Sequence, residues 1–341
     1  MKIAVLTSGG DAPGLNAVIR AIVFKANQYG HQVLGFRYGW DGLINMNCFE
    51  LTKEHVDEIH FMGGTILGSS RVNPLSSEEL TQKCIENLRQ SGSDVLIAIG
   101  GDDTLGVANE LKKRGVHIVG VPKTIDNDLS CTDYSFGFDT AVNIATECID
   151  RLRTTAKSHN RVMIVEIMGR NAGWITLKAG IAGGAHFILI PEIPFDIDEI
   201  CDMLRKRNAQ GKQFSIITVA EGARPCNYEQ ISQGDDKDGF GHIRLGGIGK
   251  YLETEISKRT GFDTRTTVLG HLQRGGSPTA FDRVLATVFG VRAIDLIETR
   301  DFGKMVALQG TKIVAVPLEE VMAQAKKVSE EEYELAKGFF G

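Results

Sequence analysis

Asp94-Val95-Leu96-Ile97-Ala98-Ile99-Gly100-Gly101-Asp102-Asp103-Thr104 reads as a short apolar strand that stops at two glycines and two carboxylates. A helical pattern runs from Leu105 to Arg114. A second aliphatic run, His117 to Val121, follows it and opens into Pro122-Lys123-Thr124-Ile125-Asp126-Asn127-Asp128. Strand, glycine turn, helix, strand is the repeating unit of α/β proteins, which place ligand loops where strands end. Outward from this centre the rhythm recurs at Ile3 to Leu6, Val33 to Phe36, Arg161 to Ile167, His186 to Ile190, Ser215 to Val219 and Thr266 to Leu269. Helical patterns fall between them at Leu15 to Tyr29, Thr140 to Ala156, Ile197 to Asn208 and Gly247 to Thr260. The alternation predicts an α/β architecture with largely parallel sheets. Met305 to Leu318 reads as two strands joined at Gln309-Gly310, and Ser329 to Phe340 as a helix with an acidic start.

A chain of 341 residues is long enough for roughly two domains of about 150 residues each and for a sizeable core. Hydrophobic residues at 42% and charged residues at 24% are ordinary globular usage, which excludes disordered and fibrous classes. Against 43 Asp and Glu stand 38 Lys and Arg, a net charge of -5, so no global basic field exists to hold nucleic acid or an anionic membrane. The six cysteines, at 48, 84, 131, 148, 201 and 226, form no CxxC pair and read as reduced packing residues. No apolar run approaches the roughly 18 residues of a membrane span, and the start, Met1 to Leu6, breaks too soon for a signal-peptide core. A cytoplasmic location is the expectation. Glu221 to Leu245 breaks the rhythm, with Gly234-Asp235-Asp236-Lys237-Asp238-Gly239 at its centre, and reads as a surface insertion, with a functional lid as the alternative.

Three strand ends carry chemistry. Ser8-Gly9-Gly10-Asp11-Ala12-Pro13-Gly14 precedes a helix and offers backbone N–H groups to an anion, although Leu15-Asn16 stands where a P-loop would have Lys-Ser/Thr. Gly100-Gly101-Asp102 lets backbone approach a ligand and puts a carboxylate where Mg²⁺ could bridge phosphate oxygens; Asp102 or Asp103 could equally be a helix N-cap. Thr124 to Asp128 brings a proton acceptor, hydroxyl and amide donors and the Lys123 cation into one turn.

With these strings the sequence resembles the phosphofructokinases over essentially its whole length. The remaining matching motifs are Gly63-Gly64-Thr65-Ile66-Leu67-Gly68-Ser69-Ser70-Arg71, Met168-Gly169-Arg170 and Thr267-Val268-Leu269-Gly270-His271-Leu272-Gln273-Arg274-Gly275-Gly276. Gly-Gly-Asp alone is also found in NAD and lipid kinases; the motifs together and in this order are specific. The resemblance implies two Rossmann-like three-layer α/β domains with the active site in the cleft between them. Residues 1–137 with 273–323 would form the phosphoryl-donor domain, and 138–272 with 324–341 the fructose 6-phosphate domain. Asp126 would take the proton from the sugar 1-hydroxyl with Asp128 in support. Thr124 would meet the transferring phosphoryl group, Arg71 and Arg170 would neutralise it, Gly10 would help bind substrate, and Asp102 would hold Mg²⁺. Glu221, Met168 and Gly169 would hold the sugar, while Arg161, Arg265, His271 and Arg274 would grip its 6-phosphate. Arg161 and Arg265 would reach in from a neighbouring subunit, so a homo-oligomer, dimer or tetramer, is implied.

Asp103 and Lys123 bear on the donor. Family members that use ATP have Gly at both places, and those that use pyrophosphate carry Asp and Lys. A carboxylate about 4 Å from a nucleotide phosphate costs roughly 4 kcal/mol at an effective dielectric of about 20. The expectation is therefore a reversible pyrophosphate-dependent enzyme of glycolysis and gluconeogenesis. Its alternatives are an ATP-dependent enzyme and, in a different class, a catalytically silent sugar-phosphate sensor. The opposing reading makes Asp103 an N-cap and Lys123 a solvated loop charge. At the family's effector-site positions Arg20 and Arg153 remain, but Phe24 and His186 replace charged residues, so allosteric control is less expected.

Overall fold

The computed structural model describes residues 1–226, 232–237 and 239–341; residues 227–231 and 238 of the irregular segment lie outside the described residues. By internal contacts the chain forms two units, one of Met1–Thr140, Asp238–His242 and Arg274–Ala325, the other of Ala141–Lys237, Ile243–Gln273 and Lys326–Gly341.

In the first unit the strands, in chain order, are β1 (Lys2–Thr7), β2 (Gln32–Phe36), β3 (Cys48–Glu50), β4 (Val95–Gly100), β5 (Ile118–Thr124), β6 (Phe136–Gly137), β13 (Lys304–Gln309) and β14 (Lys312–Pro317). They form one sheet in the order β14-β13-β5-β4-β1-β2-β3, with β6 beside the end of β5. All pairs are parallel except β2 with β3 and β13 with β14, which are antiparallel. Alternate residues of the central strands feed two cores. Ile3, Val5, Ile97, Ile99, Val119 and Val121 face one, while Ala4, Leu6, Leu96, Ala98 and Ile118 face the other. That is the three-layer arrangement expected of strands buried on both faces.

In the second unit β7 (Val162–Ile167), β8 (Phe187–Leu189), β9 (Ser215–Ala220) and β12 (Thr264–Val268) form an all-parallel sheet in the order β12-β7-β9-β8. Val162, Ile164, Phe187, Leu189, Ile217 and Val219 pack with Ile200, Leu204, Leu252 and Ile256 of the flanking helices.

Every strand read from the sequence is present, with ends shifted by at most three residues. The helix read from Leu105 begins instead at Asp102 and runs to Lys113; its N-cap is Gly101, with no side-chain cap, so neither Asp102 nor Asp103 is the N-cap. Both carboxylates lie in the first helical turn, where the helix dipole favours negative charge. Helices Glu78–Gln90, Trp174–Ala182 and Ala280–Glu298 escape the periodicity reading. Trp174–Ala182 is apolar on nearly every side. Ala280–Glu298 buries Leu285, Phe289, Ala293 and Ile297 yet exposes Phe281, Val284 and Val288, so it carries no single apolar stripe. The irregular segment contains a two-stranded antiparallel ribbon, β10 (Ser232–Lys237) with β11 (Ile243–Leu245). Ser-Gln-Gly-Asp-Asp-Lys is wholly polar and offers no alternation from which a strand could be read.

Candidate active site

β1, β4 and β5 are neighbours in the first sheet and run parallel, so their C-terminal ends lie on one edge. That edge carries Gly9-Gly10, Asp102-Asp103 and Thr124 to Asp128. Gly9 has φ +81, a backbone shape that L side chains rarely adopt. Gly10 lies close under a cation: a Cβ there would sit 2.7 Å from Nη1 of Arg274, whose guanidinium would have to shift to make room. The Lys123 ammonium reaches the same loop from β5 and donates to the Gly10 carbonyl. Lys123 is only 3% exposed, which overturns the reading of a solvated loop charge. Burial pushes its pKa down to about 8, and the nearby Arg274 charge adds to this, while Asp126, Asp11 and Asp128 work against it.

The turn after β5 is held from within. The Thr124 hydroxyl accepts from the Asp126 N–H at 3.0 Å, and Asn127, at φ +52, accepts from the Ser135 N–H at 3.0 Å and donates to the Asp133 carbonyl at 3.1 Å. Ser135 Oγ closes the set by donating to the Thr124 carbonyl at 2.8 Å. Asn127 is thus the structural pin of the string, and Asp126, 8% exposed, is set in place by it. Asp102 is exposed at the head of its helix, and Asp103 takes a 2.8 Å hydrogen bond from Nε2 of His242. Arg71 is exposed in the loop after Ser70.

In the second unit Met168-Gly169-Arg170 follows β7 and Glu221 follows its neighbour β9, again at C-terminal strand ends. Glu221 Oε1 accepts the Arg170 N–H at 3.1 Å. Arg170 has φ +50, and a Cβ on Gly169 would lie 2.5 Å from the Ala172 carbonyl oxygen, so the turn is tight. His271 is exposed on the short helix Gly270–Arg274.

Arg161 and Arg265 sit elsewhere. Arg161 precedes β7 and Arg265 is the second residue of β12, so both lie at the N-terminal edge of the sheet. Five to seven strand residues at about 3.3 Å each put them roughly 17–23 Å from Met168 and Glu221 of the same chain. Asp263 holds both, with Oδ2 on Arg161 Nε at 2.6 Å and Oδ1 on Arg265 Nη1 at 2.5 Å. The Arg161 hydrogen bond, with the Arg265 charge nearby, keeps the Asp263 carboxyl below the usual range. No motif signalled Asp263 as the shared partner of these two arginines.

A profile of the phosphofructokinase family matches residues 2–297. The chain belongs to the phosphofructokinase family. Across 342 residues, covering all of both chains, it is 55% identical to the pyrophosphate–fructose 6-phosphate 1-phosphotransferase of Amycolatopsis methanolica. It is also 51% identical over 343 residues, all of this chain and 99% of the relative, to the ATP-dependent 6-phosphofructokinase of Corynebacterium efficiens. Among solved structures, the phosphofructokinase of Pichia pastoris in its T-state superposes with a TM-score of 0.85 at 32% identity. That match covers 99% of this chain and 36% of the longer yeast chain. Within this phosphofructokinase no cluster of three metal-ligating side chains occurs among the described residues. A lone strand-end carboxylate such as Asp102 suits a Mg²⁺ ion that takes most of its ligands from phosphate and water. No helix among the described residues is long and apolar enough to cross a membrane.

Proposed function

We propose that this phosphofructokinase transfers a phosphoryl group from inorganic pyrophosphate to the 1-hydroxyl of fructose 6-phosphate. The products are fructose 1,6-bisphosphate and phosphate, and the reaction is reversible because pyrophosphate transfer is nearly balanced. The observation that carries the choice of donor is the buried Lys123 ammonium on the Gly10 carbonyl, with Asp103 in the adjacent helical turn. Together they fill and charge the ground that a nucleotide's further phosphate needs. Four relatives named as pyrophosphate-dependent enzymes, 49 to 55% identical, support this reading, and the similar ATP-dependent relatives keep ATP as the rival.

Asp126 accepts the proton from the 1-hydroxyl as its oxygen attacks phosphorus and inorganic phosphate leaves, and Asp128 supports it. Thr124 and the Gly10 backbone orient the phosphoryl group, and Arg71 and Arg170 balance its charge; such positioning and charge compensation supply most of the catalysis in phosphoryl transfer. Asp102 would hold Mg²⁺, which when bound neutralises phosphate charge. Glu221 and the Met168-Gly169 turn hold the sugar, while His271 and Arg274 bind its 6-phosphate. Arg161 and Arg265, paired through Asp263 at the far edge of their own sheet, serve the site of a second subunit in a homo-oligomer.

The test is a coupled assay of fructose 1,6-bisphosphate formation with Mg²⁺, run with pyrophosphate and with ATP. Turnover with pyrophosphate alone is expected. Turnover with ATP alone would overturn the choice of donor, and turnover with neither would favour a sugar-phosphate sensor. Asp103→Gly combined with Lys123→Gly is expected to raise ATP use.

A further inference from the structure

The contact between His242 and Asp103 joins the first turn of helix Asp102–Lys113 to a segment with no assigned role. Nε2 of His242 lies 2.8 Å from Oδ1 of Asp103. A carboxylate only accepts, so the imidazole carries its proton on Nε2 and donates it. The aspartate side chain is 22% exposed and the histidine 39%, so the bond is partly sheltered from water.

Two further contacts show that this short stretch is seated rather than lying loose on the surface. A Cβ on Gly239 would fall 2.4 Å from the Arg71 carbonyl oxygen, a backbone atom with little room to give. Phe240 is partly buried against the core that holds Leu6, Ala98 and Leu105. Within four residues the strap therefore meets the backbone of one phosphoryl-site residue, the apolar core, and the side chain of another site residue.

We propose that His242 is a positioning residue for donor selection, holding the Asp103 carboxylate in the orientation that repels a nucleotide. The inference rests on the pyrophosphate reading above. An aspartate in a first helical turn has several staggered rotamers open to it, and a mobile carboxylate can swing away from an incoming phosphate. A hydrogen bond to an ionised acceptor removes that freedom, and the strap's seat on Arg71 and, through Phe240, on the core keeps the imidazole in place.

The experiment compares His242→Ala, His242→Gln, Asp103→Gly and the double variant Asp103→Gly with His242→Ala, each checked for folding by thermal melting. Measured for each are kcat and KM for pyrophosphate and fructose 6-phosphate, and the inhibition constant of ATP against pyrophosphate. His242→Ala is expected to lower the ATP inhibition constant about tenfold, the value of one charge-assisted hydrogen bond, without changing KM for fructose 6-phosphate. His242→Gln, whose amide can still donate, should keep most of the discrimination. In the Asp103→Gly background removal of His242 should add nothing. Gly239→Ala, which lifts the strap from Arg71 with the imidazole intact, should move ATP inhibition in the same direction. An unchanged inhibition constant in His242→Ala, or a fall that persists without Asp103, overturns the proposal. Wild-type turnover with ATP but not pyrophosphate overturns the donor reading instead, and the same cycle read on KM for ATP then decides the role of His242.

Discussion

Lys123 keeps an ammonium group where burial pushes its pKa down to about 8. Below that value the lysine is charged, and on the proposed reading it attracts the anionic donor; above it the charge is lost. The kcat/KM for pyrophosphate should therefore fall as pH rises through about 8, while kcat, with bound phosphate holding the proton on, falls at higher pH. Lys123→Met should start lower and lack that alkaline limb, and a retained limb would remove Lys123 as its source. Asp126→Asn should cut kcat by roughly 10²- to 10⁴-fold, the usual worth of a positioned base, and leave fructose 6-phosphate binding measurable by calorimetry. Full turnover in that variant would take the base role from Asp126. At this scale the sequence was readable where the candidate groups sit in one contiguous string, as in Thr124 to Asp128. It was silent where a partner lies far along the chain, as with Asp263 on Arg161 or His242 on Asp103.

Elements were legible in proportion to their periodicity. Aliphatic strands flanked by glycine turns could be read because a buried strand in a parallel sheet must be apolar for four to six residues and then stop. The polar ribbon β10–β11 and the evenly apolar helix Trp174–Ala182 have no such contrast. Helix Ala280–Glu298 packs on helix Leu15–Gln28 through a glycine: a Cβ on Gly290 would lie 2.8 Å from both the Val18 carbonyl oxygen and the Ala21 Cβ. Gly290→Ala must push the two helices apart, so we expect a loss of about 1–3 kcal/mol in denaturant unfolding, the usual cost of overpacking. A stability equal to wild type would mean that this close approach is not needed.

The edge-to-edge distance within the second sheet sets the prediction for the whole molecule. If each site draws Asp126 from one chain and Arg161 from another, Arg161→Ala and Asp126→Asn are each inactive alone. Mixed and reassembled as dimers, half the molecules are hybrids and half of each hybrid's sites are intact, so about a quarter of wild-type activity should return. Failure to recover activity in verified hybrids would place both residues in the same chain's site. The exposed Phe281, Val284 and Val288 on one helix are residues that such an assembly could cover. Within the first unit, residues 239–242 seat on Arg71 and Asp103, so the irregular segment is in part a strap rather than a plain surface insertion.

By itself the sequence determined the α/β class, the family and the order of its motifs, because each resides in contiguous residues whose chemistry and spacing survive without coordinates. Only the tertiary structure decided that Lys123 is buried on Gly10, that Asp103 meets a histidine 139 residues away, and that Arg161 and Arg265 share Asp263 at the edge opposite Glu221. Those outcomes depend on strand order and on which side of a sheet a loop returns to. Local periodicity, which records only whether a residue faces the core or the solvent, carries no information about either.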